Sequence, residues 1–292
     1  MLTFVQAIVL GILQGVTELF PVSSLGHTVI LPQLLGWTDV VAAQSAPESY
    51  FLAFLVGLHV ATAVALLFFF RGTWAGIVRG LVIAARTRRV ETEDQKLGCL
   101  LLLATIPAGL AGLVLEHALR VAFATPIVAA GLLVVNGLLL LGGERVRRRV
   151  VTAAVGGDPT PAAVGRRLDD LTARESLAIG GSQALALLPG ISRSGVTMVA
   201  GLTRGLTHES AARFSFLLAT PIILAAGVYK LPDLLGPNGD GVRPQILAGS
   251  VAAGLSAYLA VRFLTRFFEH RTLTPFAVYC VVVGVLAVVR FM

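Results

Sequence analysis

Residues 14–27 read QGVTELFPVSSLGH and interrupt an otherwise apolar stretch that extends from residue 1 to residue 38. Pro21 removes a backbone donor from any helix that reaches it, and the Ser and Gly residues that follow disfavour a continuous helix. A second interruption, PGISRSG at 189–195, divides the apolar stretch 176–205 in the same way. Irregular backbone at membrane depth is tolerated where it is buried in protein or lines a cavity. Each stretch therefore predicts a re-entrant helical hairpin.

The composition around these breaks indicates a membrane protein. The chain has 292 residues, of which 56% are hydrophobic and 13% are charged, whereas a soluble domain carries about 25% charged residues. This excludes a single water-soluble globule. Three runs, 51–70, 97–115 and 121–143, contain no Asp, Glu, Lys or Arg, and a helix needs roughly 20 residues to cross a bilayer. Residues 1–17 lack the basic start of a cleavable signal peptide, so we expect none.

The two interrupted stretches resemble each other, which indicates an internal repeat. LFPVSS at 19–24 and LLPGIS at 187–192 share the order apolar-apolar-Pro-x-x-Ser. ATPI at 124–127 and LTPF at 273–276 each open the last apolar run of their half, with proline where a first helical turn accepts it. The chain thus divides into two halves of similar order.

We therefore predict an all-α polytopic membrane protein with two repeats, 1–145 and 172–292, joined by a cytoplasmic linker, 146–171. Each repeat would hold one re-entrant helical hairpin and three transmembrane helices. Because three crossings is an odd number, the repeats must be inverted in the membrane, with the site where the broken helices meet.

Basic residues predict the orientation. Of the 23 Lys and Arg residues, 18 fall on one side of this topology, in 71–96, 143–174, 204–213 and 262–271, and four on the other, with Arg193 left inside. The positive-inside rule makes the first side cytoplasmic. The net charge of +7 therefore reports topology, and we expect no nucleic-acid partner.

Glu18 is an ionisable group in the middle of an apolar hairpin, and such groups are expensive at membrane depth unless they have a function. Gln14 lies one turn earlier, so both side chains can direct an oxygen to one point. This predicts Gln14 and Glu18 as ligands of a hard cation such as Mg²⁺ or Ca²⁺, or Glu18 as a general acid or base. The alternative is a packing carboxylate paired with Arg193.

Ser24 and His27 lie three residues apart, within reach of a nucleophile–base arrangement if a helix begins there. Ser23 is better suited to capping that helix. The alternative for His27 is a packed or interfacial histidine. His59, in an uncharged run, is expected to be a hydrogen-bonded histidine of a crossing helix, and the alternative is that it lines the site.

The run PGISRSGVT at 189–197 suits a phosphate group. Arg193 offers a fixed fork of donors beside hydroxyl groups at a helix N-terminus, which is how proteins hold phosphate. The alternative is a helix break with Arg193 extended to the membrane interface. The predicted substrate-binding residues are Ser23, Gly190, Ser192, Ser194 and Thr197.

Together, QGVTELFPVSSLGH and PGISRSGVT resemble the motifs of the undecaprenyl pyrophosphate phosphatase family, the bacitracin-resistance phosphatases. The first family motif is Glu or Gln, three residues, Glu, and then Pro-x-Ser-Ser-x-Gly-His; the second is Pro-Gly-x-Ser-Arg-Ser-x-x-Thr. Every position is matched, with Gln14 as the permitted alternative to Glu. The similarity covers nearly the whole chain, including FSFLLATP at 214–221 and TPFAVY at 274–279.

The resemblance implies a hydrolase of the bacterial plasma membrane that converts undecaprenyl pyrophosphate to undecaprenyl phosphate and phosphate. This reaction recycles the carrier lipid for peptidoglycan synthesis and confers bacitracin resistance. The resemblance also implies a divalent cation and a site open to the periplasmic or outer face. By position, Ser24 or His27 would attack phosphorus, Glu18 and His27 would be acid/base or metal-binding groups, and Arg193 would clamp the pyrophosphate.

The alternatives to this hypothesis are a lipid phosphatase of the PAP2 type, which the sequence does not match, and a lipid carrier. A PAP2-type lipid phosphatase needs Lys six residues before Arg-Pro, but Arg-Pro occurs once, at 243–244, and the nearest preceding lysine is Lys230. A polyprenyl-phosphate flippase or carrier without hydrolysis would also use inverted repeats and a phosphate-binding arginine. The Ser24 hydroxyl beside Glu18 and His27 favours the phosphatase, since a carrier has little need of a nucleophile. A homodimer is compatible with the sequence.

Overall fold

The computed structural model describes residues 2–46, 49–123, 125–155, 165–230, 236 and 240–292. Within them the chain forms twelve α-helices and two short 3₁₀-helices, Leu168–Asp170 and Gln183–Leu187, and no β-strand. The all-α prediction is confirmed for this part of the chain. In chain order the α-helices are α1 (Phe4–Thr17), α2 (Ser24–Leu34), α3 (Thr38–Ser45), α4 (Tyr50–Phe69), α5 (Arg71–Thr87), α6 (Glu93–Phe123), α7 (Pro126–Val155), α8 (Ala173–Ser182), α9 (Arg193–Leu202), α10 (His208–Tyr229), α11 (Arg243–His270) and α12 (Thr274–Phe291).

Within the part of the chain that the structure describes, six helices are long and apolar enough to cross a membrane: α4, α6 over Glu93–Leu115, α7 over Pro126–Val150, α10, α11 and α12. Their number agrees with the six crossings predicted from the sequence, and the chain is a multi-pass membrane protein. The uncharged run 121–143 does not form one helix from its start. It contains the end of α6 and the beginning of α7, which starts at Pro126, where the missing N–H of proline costs nothing.

The interrupted segments form pairs of short helices. In the first segment, α1 ends at Thr17 and α2 begins at Ser24; in the second, α8 is followed by a 3₁₀-helix that ends at Leu187, and α9 begins at Arg193. Both breaks fall at the Pro-containing stretches. Of these four helices, the longest has 14 residues, too few to cross a bilayer alone.

Helices of the first half pack against helices of the second half in pairs. α1 packs against α11, and α8 packs against α6. α4 packs against α10, and α7 packs against α12. This arrangement brings the loop between α1 and α2 close to the loop that precedes α9.

The segment between the halves is helical at its beginning and is hydrogen-bonded to α8 near its end. α7 continues to Val155, so the boundary predicted at residue 145 lies within a helix, and residues 156–164 of the predicted linker 146–171 lie outside the described residues. Further along, Arg166 donates hydrogen bonds to both carboxylate oxygens of Glu175, at 2.6 and 3.2 Å. These bonds lower the pKa of Glu175 to about 2 and attach the end of the linker to α8.

Candidate active site

Two short helices begin where the interrupted segments meet. α2 begins at Ser24 and is capped by Ser23, whose Oγ accepts a hydrogen bond from a first-turn N–H at 3.2 Å. α9 begins at Arg193 and is capped by Ser192, whose Oγ accepts the corresponding bond at 3.1 Å. Ser23 and Ser192 thus have the same capping role, whereas the sequence pattern matched Ser24 with Ser192. The N-terminus of each helix favours a negative charge.

The two loops approach each other closely at glycine. A Cβ on Gly26 would lie 2.9 Å from the Gly190 Cα atom, so the backbones leave no space for a side chain. Ser23 Oγ accepts a hydrogen bond from the Gly190 N–H at 3.1 Å. Gly190 has φ +110°, a conformation that L side chains rarely adopt. The backbone at Gly190 therefore lies directly against Ser23 and the first turn of α2.

Glu18 joins the two helix starts through its two carboxylate oxygens. Ser24 Oγ donates a hydrogen bond of 2.6 Å to Glu18 Oε2. Arg193 donates from Nε and Nη2 to Glu18 Oε1 at 3.3 and 3.2 Å. The side chains of Glu18 and Arg193 are 8% and 14% exposed, while Ser24 is half-buried. The structure thus brings together three of the four predicted catalytic residues.

His27, the fourth, has other hydrogen-bond partners. Its Nδ1 bonds to the Ser23 carbonyl oxygen at 2.7 Å, and its Nε2 bonds to the Tyr279 hydroxyl at 2.9 Å. Because a carbonyl can only accept, Nδ1 carries the proton. The Tyr279 and His27 rings also stack, with centroids 5.7 Å apart. His27 therefore has no nitrogen directed at Ser24 in this structure.

His59 of α4 faces the Glu18 carboxylate, a contact that agrees with the alternative in which this histidine lines the site. Its Nδ1 is hydrogen-bonded to the Leu55 carbonyl oxygen at 2.8 Å. Its Nε2 lies 3.6 Å from Glu18 Oε2, and the side chain is 34% exposed. The available signal was an imidazole in an otherwise uncharged crossing run, but Glu18 and His59 are 41 positions apart, so no short spacing predicts the contact.

The hydroxyls predicted to bind substrate are bonded within the protein. Ser192 Oγ and Ser194 Oγ lie 3.0 Å apart, and Ser194 Oγ donates to the Phe20 carbonyl oxygen at 3.1 Å. Thr197 Oγ1 lies 2.7 Å from Ser215 Oγ. Ser194 and the Ser23–Gly190 pair connect the two loops, whereas Thr197 bonds to α10. Direct contact of these residues with a substrate stays a prediction.

The groups around Glu18 determine how the predicted cation could bind at this site. Among the residues that the structure describes, no group of three or more His, Cys, Asp or Glu side chains could hold a metal ion. Gln14 does not direct its oxygen beside that of Glu18; its Nε2 donates to Glu18 Oε2 at 3.1 Å. A half-turn of the amide would present the oxygen instead. One carboxylate with neutral oxygens fits Mg²⁺ when the oxygens of a bound phosphate complete the coordination.

The arrangement has the elements of nucleophilic chemistry on an anionic group. A hydroxyl that donates to a carboxylate is poised to lose its proton to that carboxylate as it attacks. An arginine and two helix N-termini beside it favour a phosphate group over a neutral one. Both halves of the chain contribute, since Glu18 and Ser24 come from the first and Arg193 from the second.

Comparison with known proteins agrees with this chemistry. The family model described as bacitracin resistance protein BacA matches residues 7–286. The undecaprenyl-diphosphatase of Mycolicibacterium paratuberculosis is 55% identical, and the alignment covers 97% of this chain and 95% of the relative. Undecaprenyl-diphosphatase 2 of Frankia alni is 51% identical, with 99% and 98% covered. The undecaprenyl-diphosphatase of Granulibacter bethesdensis is 45% identical, with 96% and 94% covered. The chain therefore belongs to the BacA family of bacitracin resistance proteins.

Proposed function

We propose that this chain is a membrane phosphatase that hydrolyses undecaprenyl diphosphate to undecaprenyl phosphate and inorganic phosphate. The names of its relatives support this substrate. The observation that carries the proposal is the 2.6 Å hydrogen bond from Ser24 Oγ to Glu18, with Arg193 on the other carboxylate oxygen. The reaction would recycle the carrier lipid for peptidoglycan synthesis and confer resistance to bacitracin.

In the proposed first step, Ser24 Oγ attacks the terminal phosphorus and gives its proton to Glu18. The bond from that phosphorus to the bridging oxygen breaks, and undecaprenyl phosphate leaves with the electron pair. A water molecule then bonds to the phosphorus of phosphoserine as the P–Oγ bond breaks. Ser24 regains a proton from Glu18, and one water proton passes to solvent. Ser24 is preferred to His27 as nucleophile because both nitrogens of His27 are hydrogen-bonded elsewhere.

Arg193 has the role of charge compensation in this reaction. Its guanidinium lies within hydrogen-bond distance of Glu18 and at the N-terminus of α9, where a second positive field acts in the same direction. Donors held in place beforehand stabilise charge that develops on the transferred phosphoryl group. Removal of Arg193 would weaken both substrate binding and the transition state.

We further propose that Mg²⁺ or Ca²⁺ binds with the substrate, with Glu18 as its carboxylate ligand and Gln14 as a neutral one. The cation would neutralise charge on the pyrophosphate. Mg²⁺ is commonly held by one or two carboxylates together with substrate phosphates, and the donors around Glu18 are of that kind.

The proposed topology is two inverted repeats, each with a re-entrant hairpin and three crossings. It is supported by the equivalent contacts of α1 with α11 and of α8 with α6, and by the matching caps Ser23 and Ser192. The unequal distribution of basic residues supports the proposed orientation of the crossings, and the family resemblance implies a site that opens to the outer face of the membrane. The reaction needs neither a nucleic acid nor a second copy of the chain, and a homodimer stays a prediction.

The purified protein, reconstituted with undecaprenyl diphosphate and Mg²⁺, should release inorganic phosphate, and a chelator should stop the release. A catalytically inactive wild-type protein that moves the lipid between leaflets would contradict the proposal and favour a carrier. The names of the relatives, all diphosphatases, do not favour the carrier.

A further inference from the structure

A buried amide side chain from a third part of the protein bonds to both loops of the site. Asn136 lies in the membrane-spanning part of α7 and is fully buried. Its Nδ2 donates a hydrogen bond of 3.0 Å to the Pro21 carbonyl oxygen. Its Oδ1 accepts a hydrogen bond of 2.9 Å from the Ser192 N–H. One side chain thus bonds to the first loop with its donor and to the second with its acceptor.

The partners determine the orientation of this amide. The carbonyl of Pro21 can only accept a hydrogen bond, and the N–H of Ser192 can only donate one. Turning the Asn136 amide over would face oxygen to oxygen and N–H to N–H. At membrane depth no water replaces a lost bond, and an unsatisfied buried polar group is costly. Both loops are therefore held in one position relative to α7.

Each bonded atom is close in sequence to a residue of the reaction. Pro21 lies midway between Glu18 and Ser24, and Ser192 immediately precedes Arg193. Direct contacts between the loops also exist, such as Ser23 with Gly190. Asn136 differs from these contacts because it lies in α7, outside both loops. Its two hydrogen bonds hold both loops in position relative to that crossing helix.

We propose that Asn136 is a positioning residue that sets the distance between the Ser24–Glu18 pair and Arg193. This inference rests on the proposed function. Catalysis is sensitive to displacements of this scale, since a misplacement of about 1 Å can cost about 100-fold in rate. Removing the amide should therefore lower kcat more than it raises KM, because the substrate can still bind to loops that have shifted apart.

Two variants and one control test this proposal. Asn136→Leu removes both loop hydrogen bonds and keeps the branching and the number of heavy atoms of the side chain, and Asn136→Asp removes the N–H donor but keeps an acceptor for the Ser192 N–H. Thr62→Val is the control: Thr62 is also fully buried in a crossing helix, but its hydroxyl bonds to the Leu58 carbonyl oxygen of its own helix. Each protein is measured for phosphate release and for amide hydrogen exchange by mass spectrometry.

In Asn136→Leu we expect kcat to fall about 100-fold, KM to change less than about threefold, and exchange to speed up in peptides 19–24 and 189–197. In Asn136→Asp the faster exchange should be confined to 19–24. Thr62→Val should leave both loops and kcat unchanged. Unchanged exchange of both loops in Asn136→Leu overturns the proposal whatever the activity, and so does faster exchange with full kcat.

Asn136→Asp keeps the test informative if Asn136→Leu does not fold. Exchange is also independent of catalysis. If wild-type protein releases no phosphate, the proposed function fails, while the exchange data still decide whether Asn136 holds the two loops.

Discussion

The substitution Glu18→Gln removes the negative charge of the central carboxylate but keeps the shape of the side chain. Glutamine has the same length and keeps an oxygen that can accept from Arg193. It cannot take the proton of Ser24, which now lies 2.6 Å from Glu18 Oε2. It also leaves the guanidinium of Arg193, 14% exposed, without a negative partner at 3.2 Å.

The substitution should affect both the rate of catalysis and the stability of the fold. Loss of a general base typically costs about 10²–10⁴-fold in rate, which is roughly 3–5 kcal/mol of transition-state stabilisation. Breaking a buried ion pair by removal of one charge destabilises the fold by about 3–5 kcal/mol. The lower end applies here because glutamine still accepts a hydrogen bond from Arg193. We therefore expect a folded protein with reduced thermal stability and a kcat lowered at least about 100-fold.

Phosphate release and thermal unfolding, measured on the same preparation, check both effects. Glu175→Gln is the matched control, since Glu175 also pairs with an arginine, at 2.6 Å, but lies outside the site. It should keep wild-type kcat. A Glu18→Gln protein that is folded and hydrolyses substrate at the wild-type rate would refute the role of Glu18 as base.

Three further predictions follow from individual contacts. Arg166 lowers the pKa of Glu175 from 4.5 to about 2. The ion pair therefore stabilises the fold above pH 4.5, and this stabilisation is lost as the pH falls toward 2. Because both side chains are partly exposed, it amounts to about 1 kcal/mol or less. Unfolding temperatures between pH 6 and pH 2 should therefore fall more steeply for wild type than for Glu175→Gln, and equal slopes would contradict this. His59→Leu removes the polar group 3.6 Å from Glu18 and should lower kcat/KM about tenfold, the cost of one such contact; an unchanged kcat/KM would exclude His59 from the site. Gly190→Ala places a side chain on a residue with φ +110°, at a cost of about 1–3 kcal/mol, and the new Cβ would lie 2.5 Å from a backbone oxygen of α7. The yield of folded protein should therefore fall. A normal yield with normal stability would contradict the close approach of Gly190 to α7.

Much of the fold could be predicted from the sequence because a membrane constrains it strongly. Uncharged runs near 20 residues long have few structures available in lipid other than a helix. Pro21 and the PGIS stretch mark the two breaks, since proline and glycine act locally on the backbone. The region 71–96 is different: it contains α5 (Arg71–Thr87), packed against α6, although its basic residues suggested only a connection.

The candidate site could be predicted only as far as local motifs reach. Glu18, Ser24 and Arg193 stand out because each is a polar group at an apolar break. The contact of His59 with Glu18 and the bonds of Asn136 to both loops depend on how distant helices pack, and no short spacing encodes that. His27 shows the opposite case: its position suggested a partner for Ser24, but Tyr279, 252 residues away, takes its Nε2.

If Ser24 attacks phosphorus from its hydrogen bond to Glu18, the transferred phosphate must pass through the serine oxygen, and locating that phosphate decides the mechanism. Undecaprenyl diphosphate labelled in its terminal phosphate is mixed with excess protein, and the reaction is quenched within a single turnover. We expect a covalent label on the peptide that contains Ser24, at the serine oxygen, and no label or phosphate release with Ser24→Ala. Label on His27, or wild-type phosphate release by a folded Ser24→Ala protein, would contradict it.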